Sequence, residues 1–147
     1  GPSYQHVPFS PPFSDHLYFA WLGSKQFTAE HLAQMAGKIE PDYEDINLFS
    51  SLTNSMLEAQ DLGTFQDLML AHEHRLSSVL NLESVSGTRF QGLPGTVKSL
   101  GAWGGDFVMI ASDSDEKELY DYLYKKDLKV VFRYNDLVYN GQENQLR

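Results

Sequence analysis

Three glycines within five residues, Gly101, Gly104 and Gly105, lie between two apolar stretches of strand length. The run from Lys98 to Phe107 constrains the fold more than any other. Without a Cβ, glycine lets the backbone turn sharply and lets another chain or a phosphate approach closely. Thr96-Val97-Lys98-Ser99-Leu100 reads as the strand before it and Asp106 to Ser112 as the strand after it, so the loop joins neighbouring strands. On pattern alone this is a hairpin with a bulge. The dinucleotide fingerprint is excluded, because its glycines fall at the first, third and sixth places and open a helix, whereas here a strand follows.

Around this loop the chain alternates strand and helix patterns. Gly1 to Asp15 holds four of the six prolines, which confine it to an edge or a loop. Leu17-Tyr18-Phe19-Ala20-Trp21-Leu22 is a near-continuous apolar run that predicts a strand buried on both faces, broken by Gly23 to Gln26. Thr28 is placed to cap a short amphipathic helix with Leu32, Met35, Ala36 and Ile39, which Pro41 stops. A second helix begins near Asp42 or Tyr43, carries Ile46, Phe49, Leu52, Met56 and Leu57, and ends at Gly63. Thr64 with Asp67 matches a capping box for a third helix, striped by Phe65, Leu68, Met69, His72, Leu76, Val79 and Leu80. These two helices predict an antiparallel hairpin.

Beyond them come a Gly-Leu-Pro-Gly turn at Gly92 to Gly95 and the two loop strands. Asp113 with Glu116 predicts the cap of a last helix bearing Leu119, Tyr122 and Leu123. Lys129 to Tyr134 reads as a strand, Asn135-Asp136 as a tight turn and Leu137 to Tyr139 as a short return. The order predicts one α+β domain over residues 1–140, with an antiparallel or mixed sheet and helices packed on one face. Residues 141–147 form a polar tail.

At 147 residues one core suffices. With 11 Lys+Arg against 20 Asp+Glu the net charge is -9, and the bases are scattered, so the footprint of a nucleic-acid or anionic-membrane binder is missing. The absence of cysteine removes disulfides, thiolate nucleophiles and Cys-containing zinc sites, and suits a reducing cytoplasm. No apolar run approaches the roughly 18 residues of a spanning helix, and the N-terminus lacks a signal-peptide layout. A first residue of glycine rather than methionine reads as a processed, tagged or truncated product.

Lysine, two residues, then Gly101-Ala102-Trp103-Gly104-Gly105-Asp106 resembles the third, C-terminal motif of the GHMP small-molecule kinases (galacto-, homoserine, mevalonate and phosphomevalonate kinases). That motif is a Gly-Ala-Gly-Gly-Gly-Gly/Asp run between two strands. Asp106 is most similar to the phosphomevalonate kinase version; Trp103 departs from the pattern, filling a place where the family usually has glycine. Leu17 to Gln26 and the HEHRLS stretch, His72 to Ser77, look most like a bacterial subgroup related to mevalonate and phosphomevalonate kinases.

The resemblance covers nearly the whole chain in order of elements and implies a ferredoxin-like sandwich, the fold of that family's C-terminal domain. It implies that Gly101, Ala102, Gly104, Gly105 and Asp106 pack beside the nucleotide, and that Ser24, Lys25, Gln26 and Thr28 face the acceptor. The family's Pro-x-x-x-Gly-Leu-Gly-Ser-Ser phosphate loop does not occur in this sequence. That loop, the catalytic lysine and aspartate and the serine-rich magnesium region belong to an N-terminal domain of ~150 further residues. The implied function is therefore the substrate-side half of an ATP-dependent small-molecule kinase, inactive alone and with no catalytic residue of its own. ATP and Mg2+ serve the complete enzyme, and none is bound by this fragment. Its partners are the N-terminal kinase domain and a small-molecule substrate; the oligomeric state stays open, a homodimer included. The alternative is a stand-alone ferredoxin-like module that binds a ligand or a protein without catalysis.

Single residues carry bland readings beside functional ones. Lys98 could offer charge to a phosphate, yet a lysine flanking a strand end is more often solvated. Asp106 is better suited to shaping its loop through backbone amides than to catalysis, because a bare carboxylate repels phosphate. His72 and His74 are two apart, the wrong spacing for ligands on one helix face, and His72 reads as a packed core residue. Asp113, Asp115, Glu116 and Glu118 are explained by a helix start rather than by a metal.

Overall fold

The computed structural model describes residues 9–23, 43–80, 89–100 and 107–137. A single 3-10 turn, Ser14–His16, leads into strand β1 (Leu17–Trp21). Helices α1 (Tyr43–Glu58) and α2 (Leu62–Leu80) follow, then β2 (Thr96–Ser99), β3 (Phe107–Ala111), α3 (Glu116–Lys125), β4 (Val131–Arg133) and a last helical turn, α4 (Tyr134–Leu137). The four strands form one sheet in the order β2-β3-β1-β4. Every pairing in it is antiparallel. Strand β3 thus lies between β2 and β1, and β1 between β3 and β4, so two β-α-β units interlock as in a ferredoxin-like sheet. The α+β class and antiparallel sheet are those the pattern of elements predicts.

The helices, expected on one face, cover both. Tyr18 and Ala20 of β1, Val108 and Ile110 of β3 and Val97 of β2 share one core with Leu119 and Leu123 of α3, closed by Leu22, Phe90 and Leu128. The alternate residues Leu17 and Ala111, with Phe19 and Met109 beside them, form a second core with Phe65 and Met69 of α2. The reason is in the strands themselves. Both central strands are apolar at consecutive positions, so a cover on one side would leave half of those side chains in water. Full burial of a side chain such as Phe65 or Met69 contributes about 1.5–3 kcal/mol.

Three local expectations are corrected. Helix α2 starts before Thr64, because Asp61 is the capping residue: its carboxylate accepts from the Thr64 amide at 2.8 Å and the Thr64 hydroxyl at 2.9 Å. Gly63 accordingly sits inside the first turn of α2 instead of ending α1, which stops at Glu58. In α3 the cap is Asp115, not Asp113, with its side chain accepting from the Glu118 amide at 2.9 Å.

The third correction lies at the C-terminal side. Tyr134 to Leu137 forms a helical turn where a strand end and tight turn were expected. Tyr134 is buried, 6% exposed, stacks against Phe19 and donates its hydroxyl to the Phe9 carbonyl at 2.9 Å. Asn135 reaches Asp15 at 2.7 Å. Pulling Tyr134 into the second core ends β4 after three residues. The expected helix from Thr28 to Ile39, the return through Val138 and Tyr139 and the tail at 141–147 lie outside the described residues. Among the described residues no helix is long and apolar enough to cross a membrane.

Candidate functional site at one end of the sheet

The two segments singled out by resemblance, Ser24, Lys25, Gln26 and Thr28 on one side and Gly101, Ala102, Gly104, Gly105 and Asp106 on the other, lie outside the described residues. Their flanks are described. Trp21, at the end of β1, pairs with Phe107, at the start of β3. The Leu100 amide donates to the Phe107 carbonyl at 3.2 Å, closing the base of the β2–β3 connection. The chain therefore leaves for both segments from the same end of the sheet. As expected, the glycine-rich run joins two neighbouring strands.

Just below that loop base lies a polar cluster that sequence reasoning did not assemble. Glu73 of α2 is 1% exposed, and its Oε1 is 4.0 Å from the Lys98 ammonium. Lys98 also donates to the Ser99 carbonyl at 3.0 Å, and the Ser99 hydroxyl approaches Glu73 Oε2 at 3.4 Å. Lys98, expected to be solvated, has a side chain only 15% exposed. The correction has a topological cause: β2 is an edge strand, but α2 lies over the face to which Lys98 belongs, so the lysine stem is covered.

Burial dominates the electrostatics of this cluster. Loss of solvation raises the Glu73 carboxyl above its ordinary value, against the opposing pull of the Lys98 charge and the Ser99 donors. The same loss of solvation lowers Lys98, with Glu73 pulling the other way. His72, half-buried beside them, is lowered to about 4, first by burial and then by the Lys98 charge. A histidine so depressed is neutral at pH 7, in keeping with a packed core residue. Among the described residues no group of three or more His, Cys, Asp or Glu is arranged to hold a metal.

Glu73 was missed although a signal for it existed. Phe65, Met69 and Glu73 are spaced by four, which puts the carboxylate on the same helix stripe as the two core residues. What the sequence alone could not supply is the partner, 25 positions on in β2, that makes a buried acid tolerable there.

No family model matches the sequence, and no curated protein matches it. A solved structure, the Lin0012 protein from Listeria innocua, superposes on 82% of this chain with a TM-score of 0.57 and 16% identity. The matched region spans 38% of the Lin0012 chain. The likeness is one of fold, and it extends to a chain in which this architecture is the smaller share.

Proposed function

We propose that this chain is the C-terminal, substrate-side half of an ATP-dependent small-molecule kinase of the GHMP kind, nearest to the mevalonate and phosphomevalonate branch. The observation that carries the reading is the register of β1 on β3. With Trp21 opposite Phe107, the glycine-rich connection and the polar segment after β1 start from one end of the sheet, as one wall of a cleft requires. The motif resemblance at Gly101 to Asp106 supplies the chemistry.

Phosphoryl transfer depends mainly on positioning and charge neutralisation. In this reading ATP with Mg2+ supplies the transferable phosphoryl group. The bare backbone of Gly101, Ala102, Gly104 and Gly105 allows close packing against the nucleotide loop of an N-terminal domain, and Asp106 holds the loop's shape. Ser24, Lys25, Gln26 and Thr28 orient the acceptor, Lys25 by its charge. The buried Glu73–Lys98 pair anchors the strand from which the loop departs. The cysteine-free composition fits a cytoplasmic enzyme.

The test has two arms. Sequencing of the reading frame ahead of Gly1 is expected to reveal a Gly-Leu-Gly-Ser-Ser-like loop in ~150 further residues. The product of that frame, given isotope-labelled ATP with mevalonate or phosphomevalonate, is expected to yield labelled product, and the 147 residues alone none. A start codon directly before Gly1, or turnover by the 147 residues alone, sinks the proposal.

A further inference from the structure

A concavity of about 640 Å3 lies beside the end of β1, and Trp21, Gly23, Arg89, Lys126, Leu128 and Lys129 are among the residues that line it. We propose that it binds the phosphate group of a small phosphate ester whose apolar end rests on Trp21. The inference does not depend on the kinase reading.

Charge is the first argument. In a chain of net charge -9, the described residues lining this one cleft include three bases, Arg89, Lys126 and Lys129, and among them a single acid, Asp127. Arg89 and Lys126 form no ion pair with a described residue. Lys126 is held over the Tyr122 ring at 5.7 Å, and Lys129 is shared between Asp127 at 3.4 Å and the Tyr124 ring at 5.2 Å. Aromatic faces position an ammonium without neutralising it.

Geometry is the second. Asp127 adopts φ 63 at the end of α3, and the turn is fastened by the Leu128 amide donating to the Leu123 carbonyl at 2.9 Å. Lys126 and Lys129, on either side of that turn, both line the cleft. Gly23 has φ 84, and no heavy atom of a described residue lies within 4 Å of where its Cβ would stand, so toward the described residues its backbone is bare. The pull of a helix C-terminus on cations accounts for Lys126. It does not account for Arg89, which arrives from the segment before β2, nor for Trp21, 40% exposed and part of the same lining. Exposed tryptophan beside convergent cations suits a ligand with an anionic head and a short apolar body.

Titration of the 15N-labelled 147-residue chain with inorganic phosphate and with butyl phosphate tests this by two-dimensional NMR. Saturable shifts are expected at Gly23, Arg89 and Lys126 to Val130, with butyl phosphate the tighter ligand. Arg89→Gln with Lys126→Gln is expected to weaken binding about tenfold, and Arg89→Lys with Lys126→Arg to retain it, both with spectra otherwise unchanged. The proposal is overturned by any of four results: no saturation below about 10 mM, equal shifts with chloride at matched ionic strength, shifts centred elsewhere, or undiminished affinity in the double glutamine variant. Inorganic phosphate binding as tightly as butyl phosphate overturns the assignment to an ester.

Discussion

Lys98 and Glu73 face each other at 4.0 Å between the edge strand β2 and helix α2, and the carboxylate side is almost wholly out of water. Their attraction works against a desolvation cost that pushes both groups toward neutrality. Such a pair is hard to break and easy to replace. Lys98→Met alone strands a buried carboxylate and is expected to cost about 3 kcal/mol. Glu73→Leu combined with Lys98→Met, apolar and of similar volume, is expected to recover that loss or exceed the native stability. Urea midpoints at pH 7 check both, and a double variant no more stable than Lys98→Met shows that the lost pairing is not the cause.

Acid should act on this cluster through two opposing slopes. His72 titrates near 6.5 when unfolded and at about 4 when folded. Between those values the unfolded chain binds the extra proton, so the stability His72 contributes above pH 6.5 is lost as pH falls toward 4. Partial exposure keeps the loss on the order of 2 kcal/mol. Glu73 has the opposite sign: its folded value is raised, so its contribution is complete below its unfolded value and is lost as pH rises through the folded one. His72→Gln is therefore expected to flatten stability between pH 6.5 and 4, and Glu73→Gln to remove the opposing slope. Because Lys98 helps to depress His72, Lys98→Met should raise the His72 midpoint in an NMR titration.

Much of this architecture was legible in the chain. The apolar runs Leu17 to Leu22 and Phe107 to Ala111 marked the two central strands, and the spacing of Phe65, Leu68 and Met69 marked the face α2 buries. The same runs also carried the sign that both faces need cover, since a sheet open to water on one side requires alternation. Helix starts were misplaced for another reason. Asp61, Thr64 and Asp67, like Asp113, Asp115 and Glu116, offer overlapping capping patterns, and only the backbone's entry conformation selects among them. Tyr134 could not have been read locally, because its hydroxyl partner, Phe9, lies 125 positions away. The Lys98–Glu73 pairing was hidden in the same way, by joining a strand to a helix that meet only once the sheet has formed.

The cap of α2 offers a direct check on that selection. Asp61 accepts from both the Thr64 amide and the Thr64 hydroxyl, and these bonds hold its carboxyl below the ordinary range. Asp61→Ala is expected to lower the melting temperature and the helical circular dichroism, whereas Asp67→Ala should leave both nearly unchanged. The Asp61 contribution also fades as pH falls through its lowered value, so the two variants should converge in acid. Equal effects at pH 7 would restore Thr64 as the capping residue.

Gly95 sits where the turn before β2 passes closest to the far end of β3. Its φ is 153, and a Cβ built there meets the Ala111 carbonyl oxygen at 2.6 Å and Ser112 Cβ at 2.9 Å. The neighbours cannot easily retreat. Ser112 is fully buried, its hydroxyl donates to the Pro94 carbonyl, and its own carbonyl is engaged by His16 at 3.0 Å. Ala111 is fixed in the sheet against Leu17 and Thr96. Gly95→Ala is therefore expected to destabilise the fold by about 2 kcal/mol or more, as overpacking against fixed backbone does. Gly23→Ala separates conformation from crowding: it also has a positive φ, 84, but no described residue within 4 Å of the added methyl. Its cost should stay near 1 kcal/mol, the penalty for an L-residue in that region. Denaturation curves for the two variants read the difference, and a Gly95→Ala protein no less stable than Gly23→Ala would mean that the turn and β3 are not packed as tightly as these distances require.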